Sequence, residues 1–215
     1  MPFVRKIEVE TGILGIWKIT ESADSLIAAF QFSENEVAEF NKFIIDKRRV
    51  EYLATRLLLQ QLLNKKTEIV NEKSGRPQIK NSNLNISISH SADFVVIFIS
   101  NHSIGIDVEN VNRNIDRVTN RFLHPDEIAW VKKSGNLQSL KILLWCAKEA
   151  IFKCSCQAGV QFDTQIFISP FDIEKTNFFK GKLTTINGVE NFNMWYFHEQ
   201  NNIAVYCVEV KNNKL

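Results

Sequence analysis

Four cysteines, four prolines and eight glycines in 215 residues are too few for a disulfide framework, a proline-rich linker or a low-complexity spacer. Cys146, Cys154, Cys156 and Cys207 include no C-x-x-C pair, and the single C-x-C at 154 and 156 is weak evidence for zinc, so reduced thiols are expected. No stretch approaches the ~18 uninterrupted apolar residues that a membrane span needs. The N-terminal "MPFVRKIEVE" lacks an apolar signal core, and the expectation is a cytoplasmic protein without a membrane. A net charge of only +2 argues against a protein that coats nucleic acid. What the chain does have is 45% hydrophobic residues, sixteen of them Phe, enough to bury the core of one large domain or of two smaller halves.

The charge is unevenly spread. Residues 42 to 66 carry seven Lys/Arg (Lys42, Lys47, Arg48, Arg49, Arg56, Lys65 and Lys66) against Asp46 and Glu51. This segment also reads as a helix starting near Asp46, with Val50, Leu53, Ala54, Leu57, Leu58 and Leu62 as its apolar stripe. Lys65 and Lys66 read as solvated. Arg49 and Arg56, seven apart, lie on one face at the edge of the stripe, and their guanidinium forks suit phosphate oxygens.

The remaining elements come in two rounds. A strand near Ile13 to Ile19 precedes a helix opened by the capping box "SENE" (Ser33, Glu36) and then the basic helix. "EIVNEKSGRPQI" predicts strand, turn and strand, "LNISISHS" an alternating strand, "FVVIFIS" a buried one and "SIGIDVEN" the next. The second round has a helix opened by "HPDE" at 124 to 127, a longer one from about Gln138 to Cys154, and strands near 165–169, 178–186, 192–198 and 203–210. The rounds read as copies: "ENEVAEF" lies over "PDEIAWV" at an offset of 91, and "YLATRLLL" over "WCAKEAIF" at 93. That alignment pairs Arg56 with Glu149, a cation and an anion at the junction of two halves. The expected fold class is α+β: two similar α/β halves related by a pseudo-two-fold, each with antiparallel strands packed on helices, divided as 1–103 and 104–215.

"IGIDVEN" (104–110) puts Asp107 and Glu109 on one face of a strand, opposite Ile104, Ile106 and Val108. Like charges held that close point either to a solvated face or to a divalent cation that takes oxygen ligands. In "WCAKEAIFK" (145–153) a helix projects Trp145, Glu149 and Phe152 to nearly the same side, with Lys153 one turn beyond Glu149. Trp and Phe mark that side as inward-facing, where a carboxylate needs a cation. Glu149 can thus complete the set begun by Asp107 and Glu109, leaving the other positions of a magnesium ion to phosphate and water.

Four blocks, "GRP" (75–77), "ISISHS" (86–91), "IGIDVE" (104–109) and "WCAKEAIFK" (145–153), resemble in order and spacing those of the 4′-phosphopantetheinyl transferases. The resemblance covers roughly residues 45 to 155 and is to the monomeric, duplicated-half class of surfactin-synthetase-activating and enterobactin type. "KRRVEYLATR" (47–56) is similar to the enterobactin-type branch. The resemblance implies Mg2+-dependent transfer of the phosphopantetheine arm of coenzyme A to a serine of an apo acyl or peptidyl carrier protein, releasing 3′,5′-adenosine bisphosphate. It implies Asp107, Glu109 and Glu149 as metal ligands, Arg76 at the nucleotide end, and Ser89, His90 and Lys153 on phosphates. Arg49 and Arg56 are assigned to the 3′-phosphate from charge. Where the family has W-[SA]-x-K-E, this chain has Cys146 after Trp145.

Phosphoryl transfer is helped by positioning and by cancelling charge on phosphate oxygens, the task given to the metal, His90 and Lys153. Glu149, directly or through a water on the metal, is the candidate base for the serine proton. Glu127 is either an alternative base or a helix cap. The first half is expected to hold the coenzyme A nucleotide, and the second the metal and the carrier protein, which lands around Arg117, Arg121, Phe122, Trp130, Lys132 and Lys133. The carriers serve fatty-acid, polyketide or nonribosomal peptide synthesis. Two other classes compete. A metal-dependent nuclease would use Asp107 and Glu109, but such sites place a Lys two residues on, where this chain has Val111. A non-catalytic coenzyme A sensor would bind without needing a base.

Overall fold

The computed structural model describes residues 3–133 and 137–211. They form two compact units, Met1–Asn101 and His102–Leu215. The first runs β1 (Phe3–Val9), β2 (Gly12–Lys18), α1 (Ala23–Ala29), α2 (Glu34–Phe40), α3 (Asp46–Leu63), β3 (Ile69–Asn71), β4 (Pro77–Ile79), β5 (Asn85–Ser91) and β6 (Phe94–Ser100). Its six strands make one antiparallel sheet in the order β1-β2-β6-β5-β4-β3. The second unit runs β7 (Ile104–Asn110), α4 (Asp116–Thr119), α5 (Pro125–Val131), α6 (Leu137–Ser155), β8 (Ile166–Ile168), β9 (Phe178–Thr185), β10 (Gly188–Glu199) and β11 (Asn202–Val210). Its sheet, also antiparallel, has the order β7-β11-β10-β9-β8. The fold class is α+β, as expected. The short elements β1, α1 and α4 were not expected from the sequence.

The capping box expected at Ser33 and Glu36 is present, and the helix opened by "HPDE" starts with a second one. Ser33 accepts from the Glu36 N–H while the Glu36 carboxylate accepts from Ser33, and His124 and Glu127 do the same at the start of α5, with Pro125 in the first turn. On α3 the stripe Leu53, Ala54, Leu57, Leu58 and Leu62 is buried with Trp17, Ile97 and Ile99, and Asn64 ends the helix in the left-handed region. In the other unit α6 buries Leu143, Ala147, Ala150 and Ile151 with Ile166, Ile168, Ile203 and Val205.

The two sheets share one topology. Matching β2, β6, β5, β4 and β3 to β7, β11, β10, β9 and β8 turns one strand order into the other, with β1 an extra edge strand. Packing fixes the register of this match. A Cβ on Gly15 would meet the Leu58 and Leu62 methyls of α3, and one on Gly105 would run into the Ala150 carbonyl and the Cys154 amide of α6. Leu58 therefore corresponds to Ala150 and Leu62 to Cys154. This corrects the sequence alignment of the two long helices by one residue: Arg56 corresponds to Lys148, not to Glu149.

A repeated ion pair confirms the register. Arg56 Nε lies 3.5 Å from Glu36 Oε1 in the first unit, and Lys148 Nζ lies 2.9 Å from Glu127 Oε2 in the second, each cation on the long helix and each acid on the capped helix before it.

Candidate active site

Gly105, Asp107 and Glu109 alternate on the face of β7 that meets α6, because a strand sends every second side chain to one side. Asp107 is only 5% exposed, while Glu109 is half-buried. Gly105 matters here through close approach. With no side chain between them, the α6 backbone lies directly on β7, which brings Lys153 within reach of the strand. Lys153 Nζ donates to Asp107 Oδ1 at 2.7 Å and to the Ile106 carbonyl at 3.1 Å. Glu109 is ion-paired to Arg113, four residues further on.

Glu149 is half-buried one turn before Lys153. Burial pushes its carboxyl above the ordinary carboxylate range and the nearby Asp107 pushes it the same way, while Lys153 and Arg113 oppose the shift. The aromatic side foreseen for this face is present. Phe162 packs at 6.0 Å from Trp145 and 5.7 Å from Phe152, ring to ring, and thereby spans the α6 face on which Glu149 lies. Cys146, the departure from the family pattern, is fully buried and donates to the Ile203 carbonyl; burial raises its thiol well above the usual range, and the charge of Asp107 adds to this.

These three carboxyls suit a hard divalent cation in chemistry: they are oxygen donors, and Asp107 is near enough to Glu149 to disfavour the charge of Glu149. Among the described residues, however, no group of three or more His, Cys, Asp and Glu side chains is drawn together tightly enough to hold a metal ion. Lys153 and Arg113 occupy Asp107 and Glu109 instead.

In the first unit α3 and β5 border a cavity of about 500 Å³, lined among others by Arg48, Glu51, Tyr52, Thr55, Arg56 and His90. Thr55 Oγ1 donates to the Glu51 carbonyl at 2.6 Å and lies 2.8 Å from His90 Nε2. Since the hydroxyl hydrogen is spent on Glu51, His90 donates from Nε2 and the exposed imidazole is held by α3. Arg56 is buried, stacked 3.2 Å from the Tyr52 ring centroid, with Nη1 donating to the Tyr52 carbonyl. The other expected nucleotide residues lie elsewhere. Arg49 lies over the Phe40 ring at 4.7 Å and 3.6 Å from Asp46. Arg76 reaches Asn85 at 3.4 Å, next to Pro77 of the cavity wall. Ser89 is buried on the face of β5 opposite to Ile88 and His90.

Two expectations need correction. Glu127, offered as base or cap, is the cap: wholly buried, it accepts from the His124 and Ile168 amides and pairs with Lys148, so it has no path to a substrate hydroxyl. Phe122, placed on the carrier-docking surface, is 1% exposed and packs edge-on against Trp145 in the core, while Arg117, Arg121, Lys132 and Lys133 around it are exposed and Trp130 is half-buried. Sequence reasoning missed Arg113 and Thr55. Neither carries a sequence signal: Glu109 lies on a strand, where i,i+4 spacing brings no side chains together, and Thr55 needs knowledge of which strand lies against α3.

A family model described as the 4′-phosphopantetheinyl transferase superfamily matches residues 103–210, which include β7 and α6. The 4′-phosphopantetheinyl transferase gsp of Aneurinibacillus migulanus is 29% identical over 130 residues, 56% of this chain and 54% of the relative. The 4′-phosphopantetheinyl transferase psf-1 of Bacillus pumilus is 26% identical over 144 residues, 63% of this chain and 61% of the relative. The chain thus spans little more than half the length of these curated relatives. With the family match running across the unit that holds Asp107, Glu109, Glu149 and Lys153, the chain belongs to the 4′-phosphopantetheinyl transferase superfamily.

Proposed function

We propose that this protein transfers the 4′-phosphopantetheine arm of coenzyme A to a serine of an apo acyl or peptidyl carrier protein. The serine Oγ attacks the phosphorus that bears the pantetheine arm, the pyrophosphate bond breaks, and 3′,5′-adenosine bisphosphate leaves. The observation that carries this reading is the convergence, within the family-matched unit, of Asp107 from β7 with Glu149 and Lys153 from α6, with Glu109 on the same face of β7 as Asp107. Asp107, Glu109 and Glu149 would hold Mg2+, whose charge offsets that of the pyrophosphate.

The chain's own groups supply the rest. Glu149, whose proton affinity is raised by burial and by Asp107, takes the proton from the serine Oγ. Lys153 holds phosphate oxygens at the transferring end. His90, fixed by Thr55, and Arg56 serve the nucleotide phosphates from the first unit, with Arg49, Arg76 and Ser89 as further candidates there. Carrier proteins of this kind are acidic, which makes the exposed Arg117, Arg121, Lys132 and Lys133 the landing surface. Both copies of the fold lie in one chain, so we read the protein as a monomer. Four reduced cysteines, three of them buried, fit a reducing cytoplasm, and no helix among the described residues is long and apolar enough to cross a membrane.

The test is intact-mass analysis of a panel of apo carrier proteins incubated with this protein, coenzyme A and Mg2+. A phosphopantetheine mass gain on a carrier, absent from its Ser→Ala form and abolished by Asp107→Ala in this protein, is the expected result. Coenzyme A binding with no mass gain on any carrier would leave a binding protein and remove the transferase.

A further inference from the structure

Two of the three carboxylates assigned to the metal are already paired with the chain's own cations. Lys153 Nζ sits 2.7 Å from Asp107 Oδ1 and is tied by a second bond, at 3.1 Å, to the Ile106 carbonyl on the same strand. Arg113 is paired to Glu109 and lies 5.6 Å from the Trp145 ring, on the side of α6 where Glu149 lies. Both cations are partly exposed, with side chains 28% and 44% accessible, so each has somewhere else to go. A divalent cation cannot take Asp107 and Glu109 without displacing these partners. Once displaced, an ammonium and a guanidinium stand beside the metal with no counter-ion, and a pyrophosphate is the anion that would satisfy both.

We propose that Lys153 and Arg113 are internal counter-ions that latch the metal site in the resting protein and pass to the donor's phosphates when metal enters. Metal and coenzyme A then bind cooperatively. Each frees or neutralises what the other requires, and by linkage the coupling is the same in both directions. Arg113 thereby becomes a phosphate-binding residue, a role that nothing in its sequence position announced. The inference rests on the metal reading of Asp107, Glu109 and Glu149.

The test uses Mn2+ as a spectroscopic stand-in for Mg2+, with free Mn2+ measured by electron paramagnetic resonance on the full chain, without and with saturating coenzyme A. Wild type should bind Mn2+ weakly alone and more tightly with coenzyme A. Lys153→Gln and Arg113→Gln should each tighten Mn2+ binding in the absence of coenzyme A by about tenfold, the scale of one charge-assisted hydrogen bond no longer to be broken. The enhancement by coenzyme A should shrink correspondingly. Lys153→Arg, which keeps a cation able to pair with Asp107, should stay near wild type. Lys141→Gln removes a positive charge that pairs with Asp116, away from the ligands, and should also stay near wild type. Unchanged Mn2+ affinity in both Gln variants at the latch, each showing a native circular dichroism spectrum, would overturn the latch. So would an equal gain in Lys141→Gln, which would reduce the effect to net charge. If Asp107→Ala binds Mn2+ as well as wild type does with coenzyme A present, the metal reading itself falls, and the latch with it.

Discussion

Replacing Lys148 by Met tests how the second unit holds its helices in place. Lys148 is fully buried, and its three ammonium hydrogens go to Glu127 Oε2, the Phe162 carbonyl at 2.8 Å and the Ile166 carbonyl at 2.6 Å. Glu127, equally buried, also accepts from the His124 and Ile168 amides, each at 2.7 Å. One network therefore ties the start of α5, the middle of α6, the approach to β8 and β8 itself. Burial pushes the Glu127 carboxyl up and the Lys148 ammonium down, and their attraction opposes both shifts. Lys148→Met leaves an acid in the core with two amide donors and no counter-ion. Rather than stay charged, Glu127 will take up a proton, which at pH 7 costs about 3 kcal/mol for a carboxyl whose ordinary value is 4.5. Two carbonyls also lose their donor, so the total loss should be about 3–5 kcal/mol, the usual scale for breaking a buried pair.

The pH dependence follows with a definite sign. In the variant the folded-state carboxyl is raised well above its unfolded value, so its contribution is fully present below the unfolded value and is lost as pH rises. The gap between wild type and Lys148→Met should therefore narrow on going from pH 7 to pH 5, by up to about 1.4 kcal/mol per unit. Urea denaturation at pH 5, 6 and 7 measures this. The double change Glu127→Leu with Lys148→Met should recover most of the loss and remove the pH dependence, because no buried charge then lacks a partner. A pH-independent loss below about 1 kcal/mol would show that the network does not hold the unit together.

Gly105→Ala should cost about 3 kcal/mol or more and move α6 off β7, because the new methyl runs into the unyielding Ala150 carbonyl; Gly15→Ala, which meets only the movable methyl ends of Leu62 and Leu58, should cost about 1 kcal/mol. Equal losses in denaturation midpoints would refute the close-approach argument. Glu149→Gln should raise the melting temperature of the metal-free protein at neutral pH, since burial and Asp107 both disfavour the carboxylate. A raised carboxyl favours the folded state below its unfolded value of 4.5 and loses that favour as pH rises, so the gain should fade as the wild type protonates in acid; a gain that is constant with pH would contradict this. Thr55→Val removes the acceptor that orients His90 and should weaken coenzyme A binding about fivefold in calorimetry, the scale of one hydrogen bond, while unchanged affinity would separate His90 from the nucleotide.

Local rules carried the sequence reading a long way. Ser33 with Glu36 and His124 with Glu127 mark helix starts because a capping box is written entirely within four residues. Strand alternation put Asp107 and Glu109 on one face for the same reason. What failed needed partners distant in the chain. The pairing of Lys153 with Asp107 depends on how close Gly105 lets α6 come, and periodicity does not encode that distance. Phe122 looked like a surface residue among Arg117, Arg121, Lys132 and Lys133, yet the short α4 turns its ring toward Trp145. The helix alignment slipped by one because the identities it relied on, Ala54 with Ala147 among them, lie on surfaces of similar polarity, whereas the glycine contacts and the ion pairs identify position.

The corrected register explains how a duplicated fold would come to carry a single reactive site. With Gly15 matched to Gly105, Asp107 corresponds to Trp17 and Glu109 to Ile19; with Leu58 matched to Ala150, Glu149 corresponds to Leu57 and Lys153 to Gln61. Trp17 of β2 and Leu57 of α3 are both core residues of the first unit. The same place in the fold, between the first matched strand and the long helix, is thus filled with apolar side chains in one copy and with carboxylates and an ammonium in the other. The parts the two copies share, a glycine under the helix and a buried pair between the helix and its capped neighbour, hold the helix in place. A carboxylate at the position of Trp17 or Leu57 would lie in the apolar core with Gln61 where the other copy has a Lys, and would be driven to its protonated form. The charged cluster of the second unit is tolerable because Lys153 and Arg113 came with it. On that argument the latch is the stabilising partner of the acids as well as their competitor for metal.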